Sequence, residues 1–370
     1  MTHAFKITLI ATLLAAGAAS AETRFKTDAT FSYDENGKTT FNPAARVIID
    51  GSEGNRRFEY QMLVDYLQSS SALTAGPAAP PSTLFDLTNT VDVSDNSRLS
   101  VSVERAAVSF TTDQTVLKIG RQALTWGQGT VFNPGDFVAP AAGASFKPGV
   151  DMIYGQYLFD SGADIQAVYV PRPETVGGLI SRDNSTLAVR GFTTIGMTDL
   201  TLTLAEDRGD KVAALGFSSA LGDLGVKGEI VNWDLASGSA EPSWVLSALG
   251  FGSLGDWSTT YSAELFHNGF GGAPGDPLSA ELLKKMSTGH VYVTGRDYLA
   301  LGGSINFGPA VSVAPSAMIS LEDQGAILGL SANIVLGDNA DLSISLSSPT
   351  GAGLNLGLPQ SISLVATQYF

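Results

Sequence analysis

The chain has 370 residues, of which 44% are hydrophobic and 15% are charged, and it contains no cysteine. The charged fraction is lower than in an ordinary soluble domain, and the lack of cysteine excludes a disulfide framework, a thiolate metal site and a cysteine nucleophile. A formal net charge of −15 argues against a nucleic-acid-binding surface.

The first 21 residues have the composition of a secretory signal peptide. Lys6 supplies positive charge, residues 7–19 are mainly apolar, and Ala19-Ser20-Ala21 fits the small-x-small cleavage rule. An anchoring helix is the alternative, but it needs about 20 apolar residues and this stretch has fewer. We therefore expect residues 1–21 to be removed after export.

Downstream of the signal, short segments alternate apolar and polar residues, as where Leu200, Leu202 and Leu204 enclose Thr201 and Thr203. No later run of about eighteen apolar residues predicts a spanning helix. The alternation predicts about eighteen strands, with about sixteen as the alternative. They cover residues 23–33, 43–50, 57–68, 98–110, 115–124, 151–160, 163–171, 185–194, 198–206, 211–220, 223–234, 243–251, 256–267, 297–307, 310–320, 326–336, 339–348 and 360–370.

The predicted connections alternate between short and long. The short set averages about three residues, whereas the other set contains long excursions at 69–97, 125–150 and 268–296. Short periplasmic turns and long external loops are typical of a transmembrane antiparallel β-barrel, so this all-β class is the predicted fold. An even strand count places both ends of the barrel on the periplasmic side. Pro315 lies inside a predicted strand and predicts a β-bulge.

The strand faces predicted to point inward are polar. They carry Tyr154, Gln156, Asp164, Gln166, Arg190, Lys227, Glu229, Ser262, Glu264, Asn306 and Asn333. A barrel of about sixteen or eighteen strands encloses more space than side chains can fill, so we expect a hydrated lumen. The pattern predicts a channel for passive diffusion of small hydrophilic solutes or ions, with Arg190, Glu229 and Glu264 among the residues that line it.

One segment departs from the repetitive pattern. It begins as a strand at Leu117 and changes near Trp126 into a loop rich in glycine, proline and aromatic residues. Such a loop is too apolar for a solvated flap. We therefore expect residues 125–150 to fold into the barrel, bury Trp126, Phe132 and Phe137, and narrow the channel.

This segment also carries a resemblance. Gly120-Arg121-Gln122, Trp126-Gly127, Gly129, Phe132-Asn133-Pro134 and Asp136 resemble the strand and loop of a largely uncharacterised family of proteobacterial outer-membrane barrel proteins related to porins. The specific match covers this strand and loop only. It implies a barrel in the outer membrane of a Gram-negative bacterium and suggests solute transport, without naming a substrate.

The C-terminal Phe370 is the expected contact with the barrel-assembly machinery. Signals of this class usually place an aromatic residue two positions before the terminal phenylalanine, and this chain has Gln368 there. The other expected partners are outer-membrane lipid, lipopolysaccharide and a small hydrophilic solute, with no cofactor. The sequence leaves monomer and homotrimer open.

Strict alternation would place Arg121 on the lipid face, at a cost of about 2–4 kcal/mol near the bilayer midplane. A bulge at Gly120 and another near Arg105 would return the charged side chains to the lumen. The hypothesis is a charged cluster on the inner wall, beneath the loop that carries Asp136. Its members are Glu104, Arg105, Lys118 and Arg121, and Gln122 and Trp126 complete the constriction candidates. The cluster either ties the loop to the wall or contacts the solute.

The excess of acidic residues would make the lumen favour cations. Many acids, such as Glu206, Asp207 and Asp210, lie in or next to loops and turns. There, solvation or divalent-bridged contact with lipopolysaccharide is the simpler role, so the sequence does not fix charge selectivity.

No enzyme activity and no metal site are expected. His267 and His290 flank one external loop, and Ser262, Glu264 or Ser287 would have to act as their catalytic partners. Polar positions at a loop edge explain both histidines more simply, and no residues have the spacing of metal ligands.

Residues 280–286 have helical propensity inside the same loop, and Pro277 shortly before them suits a helix start. Such a helix would cap or gate the pore, or it would dock a surface partner. Docking would make the barrel a surface interaction or structural protein without an open pore, which is the alternative function.

Overall fold

The computed structural model describes residues 21–73, 83–140, 147–175, 178–240, 242–323, 325–351 and 359–370, so the predicted signal lies outside the described residues except for Ala21. The strands are β1 (Glu22–Asp34), β2 (Thr39–Glu53), β3 (Arg56–Ser69), β4 (Thr88–Ser94), β5 (Ser97–Thr111), β6 (Thr115–Gln122), β7 (Val150–Leu158), β8 (Asp164–Pro173), β9 (Ile180–Ile195), β10 (Thr198–Asp207), β11 (Asp210–Leu221), β12 (Leu224–Leu235), β13 (Gly238–Ser239), β14 (Ser243–Leu254), β15 (Trp257–His267), β16 (Asp297–Asn306), β17 (Val311–Ser320), β18 (Ala326–Gly337), β19 (Ala340–Thr350) and β20 (Ser361–Tyr369). The helix is α1 (Ala280–Ser287). Among the described residues, no helix is long and apolar enough to cross a membrane.

Eighteen of these strands form one closed antiparallel barrel. Consecutive strands pair around the ring, and β20 pairs with β1 from Lys26↔Tyr369 to Asp34↔Ser361 to close it. The predicted fold and the preferred strand count are therefore confirmed, and the alternative of sixteen strands is wrong. Closure leaves no unpaired edge, as a sheet in lipid requires.

Two short strands stand outside the ring. In the described residues, β13 pairs only with β12, and β4 pairs only with β5. The sequence analysis placed the residues of β4 in the loop at 69–97. A strand of seven residues has too few alternating positions for its pattern to be recognised in the sequence.

The alternation of side chains sorts lipid-facing from inward residues. Leu202 is 49% exposed and Leu204 is 56% exposed, whereas Thr201 and Thr203 are each 5% exposed. Similarly, Ile362 and Leu364 are exposed on β20, next to the half-buried Ser361 and Ser363. These faces agree with the predicted period of two.

Three bulges were predicted, and one is present. Opposite β3, Gln61 pairs with Arg105 and Met62 with Val103, so Glu104 is an inserted residue and the bulge near Arg105 is confirmed. On β17, the register with β16 is the same on both sides of Pro315, so no residue is inserted and that prediction is wrong.

The bulge predicted at Gly120 is also wrong, because β6 keeps one register with β5 and with β7. Gly120 instead has a φ of +123°, which only glycine adopts without strain. A Cβ there would lie 2.2 Å from the carbonyl oxygen of Ala106. This local twist leaves Arg121 and Gln122, two successive residues, both buried.

Two sectors of the barrel interior differ in how they are filled. In the packed sector, β7–β15, inward side chains from mid-height to the external end are buried and form a core with two loops. That core contains Val168, Val170, Val212, Val231, Trp233, Phe137, Val138 and Phe270. In the open sector, β16–β20, most inward side chains remain partly exposed. In the packed sector, the inward side chains and the two loops therefore fill the space together.

Candidate channel constriction

The loop between β6 and β7, residues 123–149, is named the crossing loop because its tip contacts β15. β15 lies almost opposite β6 and β7 in the ring of strands. Within this loop, residues 141–146 lie outside the described residues.

Glu264 of β15 holds the tip of the crossing loop. Its carboxylate accepts hydrogen bonds from three successive backbone N–H groups, those of Thr130 at 2.7 Å, Val131 at 3.0 Å and Phe132 at 2.6 Å. The side chain is almost fully buried. A buried carboxylate requires such donors, because burying an ionised group without them is costly.

Aromatic packing fixes the same tip. Phe132 stacks on Phe266 with ring centroids 4.5 Å apart, and it also contacts Tyr292 and Tyr298 at 5.7 and 5.6 Å. The Tyr292 hydroxyl donates to the carbonyl of Val131 at 3.2 Å. The tip is thus bound by both charge and apolar contact.

Trp126 anchors the first half of the loop. Its indole N–H donates to Gln166 Oε1 on β8 at 2.9 Å, and the guanidinium of Arg190 lies 5.8 Å from its ring centroid. The Asn133 amide donates to the Trp126 carbonyl at 3.2 Å. Gly127 has a φ of +103°, and a Cβ there would lie 2.0 Å from Asn133 Oδ1. The position after Trp126 therefore requires glycine.

The middle of the loop rests on the packed sector. Arg172, fully buried on β8, donates to the carbonyl of Val138 at 2.8 Å. Glu229 lies directly under Gly135, where a Cβ would come within 2.3 Å of its carboxylate. Arg190 is the cation that interacts electrostatically with Glu229.

Asp136 pairs with Lys147 across the loop, with Oδ1 and Nζ 2.6 Å apart. Burial raises the pKa of Asp136 to about 6, although the Lys147 ammonium acts in the opposite direction. Burial likewise lowers the pKa of Lys147. Arg105 donates to the Lys147 carbonyl at 2.8 Å and so connects this pair to β5.

Arg121 is paired with Asp151 of β7 and does not contact Asp136. Its Nε and Nη2 atoms each donate to the carboxylate at 3.0 Å, and Nη1 donates to the Val103 carbonyl at 3.1 Å. It also donates to the carbonyl of Phe85, whose N–H donates to Asp151 at 2.9 Å. The pair therefore clamps the loop that precedes β4 to the wall.

Two other members of the predicted charged cluster, Lys118 and Arg105, contact Glu59 of β3. Lys118 Nζ lies 2.8 Å from Glu59 Oε2, and Arg105 Nε lies 3.7 Å from Oε1. Glu104 accepts a hydrogen bond from Ser102 at 2.6 Å. Lys118 and Arg105 thus pair with Glu59, Arg121 pairs with Asp151, and Glu104 is bonded to Ser102.

Gln122 is buried and faces the backbone. Its amide donates to the carbonyls of Lys118 at 3.3 Å and Met152 at 3.4 Å. It therefore binds the backbone of its own strand and of β7, and it is buried.

A second loop, residues 268–296, carries α1 and is named the cap loop. Ser279 accepts a hydrogen bond from Leu282 N as the N-cap of α1. From α1, Lys285 reaches Asp210 of β11 at 3.0 Å, with its ammonium 3.5 Å from the centroid of the Trp233 ring. The helix predicted over 280–286 is present and lies against the packed sector.

His290 forms the second attachment of the cap loop. Its Nε2 lies 3.0 Å from Asp207 Oδ2, and its Nδ1 lies 2.7 Å from the Thr288 hydroxyl. Burial lowers the pKa of His290 to about 4. His290 thus lies at a polar loop edge, as predicted, with its side chain almost fully buried there. The solvated role predicted for Asp207 and Asp210 is wrong, because both are buried.

The contacts of the two histidines do not assemble the catalytic partners considered from the sequence. His267 pairs with Asp297 on the adjacent strand at 2.7 Å, and Glu264 binds the crossing loop. Within the described part of the chain, no group of three or more His, Cys, Asp or Glu residues is placed to hold a metal ion.

Sequence reasoning missed Arg172, Asp207, Asp210, Lys285 and His290 as lumen-side contacts. One signal was present: residues 208–209 form a two-residue external connection, shorter than the external connections on either side of it at 174–179 and 236–242. Its flanking acids, Asp207 and Asp210, accept the contacts from the cap loop.

No protein-family model matches the chain, and no curated protein matches its sequence. Solved structures do match. OccK5 (OpdH) of Pseudomonas aeruginosa has a TM-score of 0.60 at 8% identity over 95% of this chain and 98% of that one. OpdK of the same organism, solved with vanillate, has a TM-score of 0.59 at 11% identity over 95% and 98%. A BenF-like porin from Pseudomonas fluorescens Pf-5 has a TM-score of 0.58 at 12% identity over 95% and 99%. The chain therefore has the fold of these outer-membrane porins.

Proposed function

We propose that the protein is an outer-membrane channel through which small hydrophilic solutes diffuse passively. The observation that carries this proposal is the asymmetry of the interior. Inward side chains of β16–β20 remain partly exposed beside two loops that bury the opposite wall. Solutes would pass along this open sector.

The crossing loop would set the narrowest point of the channel. Its tip reaches the external half of the open sector, where Tyr292 contacts both Val131 and the Met318 sulfur on β17, the latter at 3.9 Å. Because Glu264 fixes this tip from the far wall, the loop would act as a rigid constriction.

The charged residues near β6 would position the loops and leave solute contact to other groups. Arg121 is 4% exposed and engages Asp151 and two backbone carbonyls. Arg105 holds the carbonyl of Lys147 at 2.8 Å. Between the two roles left open by the sequence, these contacts favour tying the loops to the wall.

The location of the protein in the outer membrane is part of the proposal. Removal of residues 1–21 would release the chain into the periplasm, and Phe370 would engage the assembly machinery. Phe370 exchanges two backbone hydrogen bonds with Phe25 at the seam of the barrel, at 2.9 and 3.2 Å, while its side chain is 65% exposed.

Planar-bilayer conductance with a matched pair of variants tests the channel. Ser345 points into the open sector from β19, and its neighbour Ile344 points to lipid. Ser345→Trp is expected to reduce the single-channel conductance at least twofold, whereas Ile344→Trp is expected to leave it unchanged. Equal conductance in both variants would contradict the proposed path.

A closed barrel that serves as a surface interaction protein is the second candidate. The observation in its favour is the apolar core shared by the crossing loop and the cap loop, in which Phe137 and Phe270 both contact Trp233 at 5.9 and 5.7 Å. Wild-type protein that neither conducts ions nor allows sugar-driven swelling of liposomes would select this function.

A further inference from the structure

The open sector has an inner surface of small hydroxyl side chains. We name as the hydroxyl panel the inward residues Ser316, Ser331, Ser343, Ser345, Ser347 and Ser363, which lie on four successive strands. Ser331 pairs with Ser345, Ser343 with Asn333, and Ser345 with Ser363 in the strand register. The panel is therefore continuous across the wall.

Charge is almost excluded from this sector. Along β16–β20, all of which lie within the described residues, Asp341 is the only inward residue with a charged side chain. It stands at the periplasmic end, opposite Thr367. Mid-height of the panel thus offers hydrogen bonds without a fixed charge.

Part of the charge on the wall beside the panel is paired. Lys26 lies 3.1 Å from Asp28 on β1, and Lys118 lies 2.8 Å from Glu59. Arg121 and Asp151 form a buried pair. Opposite charges held this close cancel over the distance to a solute beside the panel, so these pairs do little to concentrate cations or anions there.

The panel hydroxyls retain hydrogen-bonding capacity. The oxygens of Ser331 and Ser345 lie 3.1 Å apart, and Ser343 donates to Asn333 Oδ1 at 2.8 Å. A hydroxyl has one donor and two acceptor positions, so each such contact leaves further positions for a solute or for water. The spacing of strands, about 4.8 Å, presents these groups in repeated rows.

An apolar rim faces the upper end of the panel. Val131 at the tip of the crossing loop is 44% exposed, and it lies beside Tyr292. Met318 and Ile327 continue the rim on β17 and β18. A solute that contains a ring with polar edges and aliphatic C–H faces can contact both the hydroxyl rows and the apolar surface, which a simple ion cannot do.

From these observations we propose that the channel selects neutral polyhydroxylated solutes, such as monosaccharides and polyols, through hydrogen bonding to the hydroxyl panel. The inference rests on the proposed channel function and adds a substrate class to it. Solutes would exchange water for panel hydroxyls at each row, a nearly balanced exchange that allows both binding and release.

Block of ionic current by glucose tests the proposal. The triple variant Ser331→Ala, Ser345→Ala, Ser363→Ala removes three adjacent panel hydroxyls. The control triple, Thr27→Ala, Thr259→Ala, Ser348→Ala, removes three hydroxyls that point away from the lumen. In the wild type and the control, glucose is expected to reduce the current saturably. In the panel variant, the half-saturating concentration is expected to rise at least fivefold, with unchanged conductance in salt alone.

Charged analogues of the same size complete the test. Gluconate and glucosamine are expected to half-saturate at concentrations at least threefold above that of glucose, and vanillate at a higher one still. Equal glucose block in the two triple variants, or stronger block by gluconate or vanillate, would overturn the substrate class while leaving the channel intact. Loss of all conductance in the wild type would instead refute the channel itself.

Discussion

The packed sector and the open sector are built from the same kind of strand, but the interior is filled in the first and accessible in the second. In the packed sector, inward positions such as Val170, Val231 and Trp233 are large and apolar and are covered by loops. In the open sector, equivalent positions such as Ser331 and Ser345 are small and polar. The strand period determines which residues face inward, and the side chains there determine whether the space is filled.

The comparison also separates two uses of charge. In the packed sector, charges such as Glu264, Arg172 and Asp207 are buried and bind loops. The hydroxyl panel carries none. A charged residue inside a barrel is therefore not by itself evidence of contact with the solute, and its burial and partners decide the role.

Loss of the Arg121–Asp151 pair is expected to give the largest effect on stability. Arg121→Ala leaves the Asp151 carboxylate buried without its cation, which costs about 3–5 kcal/mol. The measurement is the thermal midpoint of barrel unfolding, followed together with ion selectivity from the reversal potential. We expect a lower midpoint and unchanged selectivity.

Arg57→Ala serves as the control, because Arg57 is largely exposed and lies 3.8 Å from Asp50. It removes the same charge without opening a buried pair and is expected to leave the midpoint unchanged. A changed reversal potential in Arg121→Ala at normal stability would mean that this residue contacts the permeating ions, and it would break the separation of roles.

Release of the crossing loop is the next largest expected effect. Glu264→Gln keeps the shape of the side chain but removes the charge that holds three N–H groups, at a cost of about 2–4 kcal/mol. The packed sector should then open, with a severalfold higher conductance and larger current fluctuations in a planar bilayer. Glu206→Gln, on an external ion pair with Arg182, is the matched control. Identical traces from the two variants would show that Glu264 does not hold the constriction.

Acid is expected to weaken the cap loop by a smaller amount. His290 has a pKa of about 4 when buried against Asp207, Lys285 and Arg208, and a detached histidine has a pKa near 6.5. Between these two pH values, the detached loop binds more protons than the attached loop. The free energy that favours attachment of the cap loop therefore falls by about 1.4 kcal/mol for each unit that the pH falls. Hydrogen exchange of α1 at pH 7 and pH 5, corrected for intrinsic rates, is expected to show faster opening in acid.

His290→Gln is expected to abolish this pH dependence, whereas His267→Gln should retain it.

Protonation of Asp136 affects the crossing loop in the other direction. Its pKa of about 6 in the folded loop, above the ordinary value of 3.8, stabilises the crossing loop as the pH falls from about 6 towards 4. Faster exchange at residues 130–137 in acid would contradict this assignment.

Local patterns were sufficient to predict the eighteen strands of the barrel, because each of them carries its own alternation. They also predicted burial of Trp126, Phe132 and Phe137 in a loop of unusual composition, and all three are buried. The attachment of that loop to Glu264 could not be read, because its partner lies more than a hundred residues away and any inward acid would have served equally well.

The contacts of the cap loop could not be predicted from the sequence for the same reason. His290 and Asp207 meet only when residues far apart in sequence are brought together at the external end of the barrel. Gly120 illustrates a subtler limit: the sequence showed that the alternation had to change phase there. Whether an inserted residue or a positive φ made the change is decided by packing against Ala106.

Cysteine accessibility in a planar bilayer tests the division of the interior most directly, since the natural chain has no cysteine to interfere. Ser345→Cys in the open sector and Thr203→Cys in the packed sector would each be exposed to a water-soluble, charged thiol reagent while current is recorded. We predict rapid modification and current block at position 345, with neither at position 203. Comparable modification rates at the two positions, or faster reaction at position 203, would contradict the account.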